Sequence, residues 1–370
     1  MKIAILADTL DNQNAGIHIY TTSLIKELLK RNDGHEYILV RQKKDDELSH
    51  IKQIAIPNSS LPIGFASLRL FFIIPYILRK QKVDVVFEPA HFGPFNLPKR
   101  IKRVTFIHDL TPIILPEYHR WHSQILQRIF LKRILKNTHL IFTNSKNTRK
   151  DLEQHYPFTK GKNKILLLGK DNRFQPNKNK DVVHNFGIEL PYFLSVGTIE
   201  PRKNLVRLLK AYTIFMNETN KPYNLVFAGG LGWKTENFKK ELAIHPYRDH
   251  IKILGYIKEE ELPIVYSHAS ALIYPSLYEG FGLPVLEALA CGTDVICSNT
   301  SSLPEVGGTV AHYCNPQSVD EIKEKMIKIS QFSVPEQKIN SQKNVEQAQL
   351  FSWKKHVDSF MNNIEMLITN

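Results

Sequence analysis

The chain has 370 residues, 42% of them apolar and 23% charged. That composition excludes a disordered polymer, and the length exceeds what one core usually serves, so two domains are expected. The net charge is +13 and only three cysteines are present, which argues against a disulfide framework or a cysteine metal site and for a reducing, cytoplasmic compartment.

No run of eighteen apolar residues occurs, so no helix is expected to span a bilayer. The charge is uneven. Residues 1–172 hold 28 Lys and Arg against 15 Asp and Glu, whereas residues 173–370 hold 21 against 21. An anionic partner for the first half is one explanation, with nucleic acid and an anionic membrane as candidates. A lysine-rich proteome is the bland alternative.

The chain begins with "KIAILA" (2–7), closed at once by Asp8, which reads as a buried strand rather than a leader peptide. Gly16 follows, just before a helical pattern over 19–30 with Ile17, Tyr20, Leu24 and Leu28 on one side. A glycine there permits close backbone approach, and the free amides of a helix start attract anions; an ordinary loop glycine fits as well. "LRLFFIIPYILRKQK" (68–82) is apolar and ends in cations. Next comes the strand-like run "VDVVF" (83–87). "RVTFIHD" (103–109) ends in His108 and Asp109, where the histidine suits a base, a hydroxyl ligand or a structural donor. "SQILQRIFLKRILKN" (123–137) sets Ile125, Ile129 and Leu135 among Arg128, Lys132, Arg133 and Lys136. Basic amphipathic helices of this kind lie on anionic membranes, and core helices with solvated cations share the pattern. "LIFTNS" (140–145) and "KILLLG" (164–169) complete the strands of the first half.

The polar stretch 169–191, with Pro176, reads as the interdomain boundary. It divides the chain into domains 1–172 and 173–350, leaving a terminal helix over 351–370. Beyond it, strands are expected at "YFLSVG" (192–197), "NLVFAGG" (224–230), "HIKILG" (250–255), "ALIYPS" (271–276) and "DVICSN" (294–299). Helices are expected over 204–217, 260–268 and 320–329. Short, continuously apolar runs suit parallel strands covered on both faces. Two β/α/β domains in series therefore follow, with ligands at the carboxyl ends of the strands in a cleft between them.

Three features follow strands of the second half. Arg202 and Lys203 precede a helix, with Asn204 as its expected cap, and make a good diphosphate site. Tyr256 and Ile257 could hold a nucleobase or simply pack. In "YEGFGLPVLEALACG" (278–292), Pro284 fits the first turn of a helix and Gly292 its C-terminal cap. The helix is apolar except for Glu287, and an ionised carboxylate there is costly unless it meets donors. The amides of Phe281, Gly282 and Leu283 belong to the same helix start, with Glu279 one turn earlier. A diphosphate near the helix and hydroxyls on the carboxylates would satisfy all of these groups, and a nucleotide sugar is such a ligand. A buried Glu287 paired with a structural cation is the alternative.

These motifs, in this order, resemble the retaining glycosyltransferases of family 4, also called glycosyltransferase group 1, which have the GT-B fold. The resemblance rests on "EGFGLPVLE", "GTIEPRKNL", "LGYI" and "SNTSSLPEVGG", and on "HDLTP", "TNS" and Gly16 in the first half. It implies an α/β architecture of two Rossmann-like domains facing each other across a cleft, the last helix crossing back to the first domain. It implies that Glu279 touches the donor sugar beside Phe281 and Gly282, and that Glu287 binds the ribose. Lys203, helped by Arg202, would neutralise the diphosphate. His108 would contact the sugar near the reacting carbon, Asp109 would shape that wall, and Gly16 would let the first helix approach the phosphates. No metal or other cofactor is implied. Departures are Thr198 where many relatives have Arg, His18 where many have a second glycine, and Asp294 in place of a proline. The likeness to bacterial mannosyltransferases favours GDP-mannose as donor and a glycan or lipid-linked acceptor in surface polysaccharide or lipopolysaccharide assembly, with peripheral docking on the membrane and no nucleic acid. A UDP-hexose donor is the alternative, and a GT-B sugar-nucleotide epimerase a more distant one. A phosphorylase would need a lysine-bound pyridoxal cofactor, which nothing here singles out.

Overall fold

A computed structural model describes residues 1–12, 15–57, 65–90, 93–94, 96–118, 121–179 and 181–369. Ile125 and Arg128 of the basic run lie outside the residues whose side chains are described. The chain forms two compact units, Met1–Gly169 with Trp353–Asn370, and Lys170–Ser352.

The first unit is built on seven parallel strands: β1 (Lys2–Leu6), β2 (Glu36–Arg41), β3 (Lys52–Ala55), β4 (Val85–Glu88), β5 (Lys102–Ile107), β6 (Leu140–Thr143) and β7 (Asn163–Ile165). Their order is β3-β2-β1-β4-β5-β6-β7. β4 is buried at every position, and so is β5 after Lys102, as expected of strands covered on both faces. The order reverses between β1 and β4, a switch point of the kind at which α/β sheets bind ligands. The helix Ala15–Leu28 begins four residues before the expected 19. The terminal helix Trp353–Thr369 belongs to this unit and buries Val357, Phe360, Met361 and Ile364. Phe360 meets Phe87 and Phe142 with ring centroids 4.8 and 5.4 Å apart.

The second unit carries six parallel strands: β8 (Tyr192–Val196), β9 (Asn224–Ala228), β10 (Ile251–Gly255), β11 (Ala271–Tyr274), β12 (Asp294–Ser298) and β13 (His312–Cys314). They run in the order β10-β9-β8-β11-β12-β13, reversing between β8 and β11. Its helices Leu205–Glu218, Leu262–His268 and Val319–Ser330 lie within two residues of the expected bounds. β2, β3 and β13 were not among the expected strands. β3 and β13 are edge strands of four and three residues with partly exposed side chains, so neither has a continuous apolar run.

Candidate active site

In the second unit three of the side chains singled out by sequence, Arg202, Lys203 and Glu279, meet where β8 and β11 end, at the switch point. Two glycines make the junction possible. Gly197 and Gly229 have φ of +123° and +149°, and a Cβ on Gly229 would lie 2.1 Å from the Gly197 carbonyl oxygen. Only glycine tolerates both the conformation and the approach.

After β8 the chain forms the short turn Pro201–Lys203 and passes through Asn204 at φ +61°. The expectation that Asn204 caps the next helix is corrected here. Its left-handed backbone turns the side chain away from the helix start, and no capping bond forms. The amide instead donates to the Pro275 and Pro316 carbonyls at 3.0 and 2.6 Å, strapping together the segments that follow β11 and β13.

Arg202 and Lys203 converge on one carboxylate. Arg202 Nη1 lies 2.7 Å from Glu279 Oε2, and Lys203 Nζ lies 2.7 Å from Glu279 Oε1. Arg202 also donates to Glu200 Oε1 at 2.6 Å and to the Tyr278 carbonyl at 2.8 Å. Lys203 donates to the Tyr274 hydroxyl. The loop bearing Glu279 is held from behind: Glu279 N donates to Ser301 Oγ at 3.0 Å, and Ser302 Oγ lies 2.8 Å from the Glu279 and Phe281 carbonyls. Burial pushes the Glu279 carboxyl up, but the charges of Arg202 and Lys203 outweigh it and hold the group at about 2. Burial, reinforced by Arg202, lowers the Lys203 ammonium against the pull of Glu279. The cations are thus mutually neutralised with Glu279 and Glu200 in a low-dielectric pocket.

The helix Leu283–Ala290 starts immediately beyond. Gly282 precedes it at φ +113°, Pro284 sits in its first turn, and its first amides have no intrahelical acceptor. Phe281 is buried and Leu283 half-buried. Gly292, at φ +76°, follows the helix as expected. Glu287 is half-buried and accepts a hydrogen bond from Tyr266 Oη at 2.8 Å. Burial pushes its carboxyl up to about 7, against the lowering effects of that bond and of the Arg173 charge. Arg173 is itself committed to Asp171 and Glu259. Tyr256 and Ile257 do not form one flat surface: Tyr256 is 81% exposed and Ile257 7%. Among the described residues no three His, Cys, Asp or Glu side chains cluster as a metal site.

His108, Asp109 and Gly16 belong to the first unit. His108 follows β5, and its Nε2 lies 2.7 Å from the Pro89 carbonyl. A carbonyl only accepts, so Nε2 carries a proton. Asp109 Oδ1 accepts from Thr111 N at 2.9 Å, an Asx turn that fixes the loop. Gly16 is exposed in the first turn of its helix, with nothing within 4 Å of the place a Cβ would occupy. His18 Nδ1 lies 3.1 Å from the Thr9 carbonyl, tying that turn to the short helix Thr9–Asn12 before it. Sequence reasoning missed Glu200, Tyr274, Ser301, Ser302, Tyr266 and Tyr20. Glu200, Ser301 and Ser302 lie inside the stretches that carry the family resemblance, but no role was assigned to them.

Comparison with known proteins accords with this geometry. Residues 176–347 match the family described as Glycosyl transferases group 1, and residues 15–170 match Glycosyltransferase Family 4. The O-antigen chain mannosyltransferase B of Escherichia coli is 30% identical over 387 residues, covering 99% of this chain and 100% of the relative. Sucrose-phosphate synthase from Thermosynechococcus elongatus shares the fold with a TM-score of 0.78 at 18% identity, covering 100% of this chain and 99% of the other. HepE from Anabaena, solved with UDP and glucose, does so with a TM-score of 0.76 at 15% identity, covering 99% and 100%. With a relative aligned along essentially its whole length and both halves matched in order, the chain belongs to the group 1, family 4 glycosyltransferases and is a glycosyltransferase of GT-B fold.

Proposed function

We propose that the protein transfers mannose from GDP-mannose, with retention of anomeric configuration and without a divalent metal, to a glycan or lipid-linked glycan acceptor in bacterial surface polysaccharide assembly. The similarity to an O-antigen mannosyltransferase supports the sugar and the pathway class. The observation that carries the chemistry is Glu279, held ionised by Arg202 and Lys203 beside the start of the helix Leu283–Ala290. In this reading the donor diphosphate draws Lys203 and Arg202 toward itself and settles on the helix amides. Glu279 then accepts hydroxyls of the sugar beside Phe281 and Gly282, and Glu287 accepts the ribose hydroxyls. The base lies against the exposed Tyr256 ring, with Ile257 packed beneath it. His108 meets the sugar near its reacting carbon, Asp109 fixes that wall, and Gly16 leaves room at the first helix. The acceptor oxygen attacks the anomeric carbon on the face the diphosphate leaves. The carbon–oxygen bond to the diphosphate breaks, and the acceptor proton passes to the departing phosphate oxygen. The two cations stabilise the charge that grows there.

The first unit is read as the membrane-facing side. Over residues 65–80 the helical run exposes Leu68, Phe72 and Tyr76 at 47%, 64% and 65%, four residues apart, and ends in exposed Arg79 and Lys80. Ile129 is exposed as well, and Phe71 meets Phe130 at 5.5 Å, linking the two basic segments. No helix among the described residues is long and apolar enough to cross a membrane.

A thermal-shift series with GDP, UDP and ADP sugars tests the donor, because a ligand that binds the folded state raises apparent stability. GDP-mannose is expected to give the largest shift, and a larger shift with a UDP-hexose replaces the donor assigned here. Ala at His108, Lys203 or Glu279 is expected to lower turnover by about a hundredfold or more; wild-type turnover in all three sinks the assignment. An inverted product anomer rules out retention, and loss of activity in EDTA rules out metal independence.

A further inference from the structure

We propose that His356 and Tyr20 are a positioning pair for the His108 imidazole, so that the C-terminal helix sets the orientation of the histidine at the reacting carbon. This inference rests on the reading of His108 given above. His356 is 2% exposed and stands in a helix face whose other buried residues, Val357, Phe360, Met361 and Ile364, are all apolar. A leucine would pack there at no polar cost, whereas a buried imidazole needs partners for both nitrogens. It has them. Nδ1 lies 2.8 Å from the Leu167 carbonyl, so it carries the proton and Nε2 must accept. The Tyr20 hydroxyl lies 3.4 Å from that Nε2 and is its donor. Burial holds His356 down at about 4, so it stays neutral and keeps this tautomer across the physiological range.

Tyr20 in turn forms one wall of the His108 pocket. Its ring meets that of His108 edge-on, with centroids 5.0 Å apart at 79°. Phe106 closes another side at 4.6 Å, and the Pro89 carbonyl fixes Nε2. Trp353 backs both Tyr20 and His356, at 5.9 and 5.0 Å. For His108 to swing toward Tyr20, the phenol must move, and moving it breaks the bond to His356. The same contact anchors the helix Ala15–Leu28, which carries Tyr20 and Gly16.

The test uses full-length protein carrying Tyr20→Phe or His356→Phe, each alone and combined with His108→Ala. The assay follows GDP released from GDP-mannose with an alkyl α-mannoside as acceptor. Each single variant is expected to lower kcat about tenfold to a hundredfold while the KM for GDP-mannose stays close to wild type. Neither is expected to lower it further when His108 is already alanine. A merely structural role would lower kcat by the same factor in both backgrounds, and that result overturns the inference. If the wild type does not turn over GDP-mannose, or His108→Ala keeps full activity, the functional reading falls. The positioning claim is then decided by NMR of 15N-histidine protein without substrate. Wild type is expected to show His108 protonated at Nε2 and His356 at Nδ1, with Tyr20→Phe, which removes a single hydroxyl, shifting the His108 signals. Unmoved His108 signals in that variant also overturn it.

Discussion

Glu287 and Glu279 are eight residues apart in sequence, and their surroundings push their carboxyls in opposite directions. Cations hold Glu279 at about 2, whereas burial raises Glu287 to about 7 with one tyrosine as its hydrogen-bond donor. The ribose hydroxyls assigned to Glu287 would donate to it, which favours its ionised form. In the free protein a raised carboxyl is mostly protonated below pH 7, so binding there must first expel a proton. The affinity for GDP is therefore expected to rise with pH, by about tenfold between pH 6 and pH 8, and to level off above. Titration calorimetry over that range checks this, and Glu287→Gln should flatten the profile. A profile equally steep in the variant removes Glu287 as its cause. Glu287 was legible in the sequence because a carboxylate interrupts an apolar helix. Its companion network was not. Lys203 and Glu279 are 76 positions apart, and only the adjacency of β8 and β11 brings their loops together. No local pattern reports such adjacency. The same holds for His356 and Tyr20, 336 positions apart.

At the level of elements, strands buried on both faces declared themselves, because a run such as 271–274 has no charged residue to break its apolar pattern. Edge strands β3 and β13 did not, since they are short and most of their residues are only partly buried, with Lys52, Gln53 and His312 among them. The 37–40 run inside β2 carries the same apolar signature, yet it was not among the expected strands. What no run of letters revealed is a charge pair between two central strands. Arg103 on β5 and Glu88 on β4 are each 1% exposed, with Nη2 and Oε1 2.7 Å apart. The contact lacks the alignment of a hydrogen bond, and three guanidinium nitrogens have no partner of that kind among the described residues. Burial raises the Glu88 carboxyl and lowers the Arg103 guanidinium, each opposed by the other's charge. Such a pair contributes little net stability, yet losing one member strands a buried charge. Glu88→Leu alone is expected to cost about 3 to 5 kcal/mol, while Glu88→Leu with Arg103→Met should be close to neutral. Urea unfolding of the three proteins decides it. A double variant as unstable as the single one would show that the pair does more than neutralise itself.

At the scale of the whole molecule the leading fact is the placement of charge: all of the +13 excess lies in residues 1–172. A uniform excess would serve solubility. One confined to half the chain, beside an exposed stripe of Leu68, Phe72 and Tyr76, suits a surface that is both anionic and apolar within a few ångströms. An anionic bilayer is such a surface; a duplex nucleic acid offers the charge without an apolar layer, and a single strand would offer base faces only to Phe72 and Tyr76. The two components of binding should separate experimentally. Each basic side chain near the membrane contributes about 1 kcal/mol, and this part fades as salt shortens the Debye length to about 3 Å at 1 M. The apolar part does not depend on salt. Sedimentation with phosphatidylglycerol vesicles is therefore expected to show strong binding at low salt and a weaker, salt-resistant remainder. Arg79→Glu with Lys80→Glu should remove mainly the salt-dependent part. Phe72→Ser with Tyr76→Ser should lower binding at every salt concentration without changing the slope. Retention on a heparin column with no binding to vesicles at low salt would refute membrane docking and return the basic half to the class of polyanion binders.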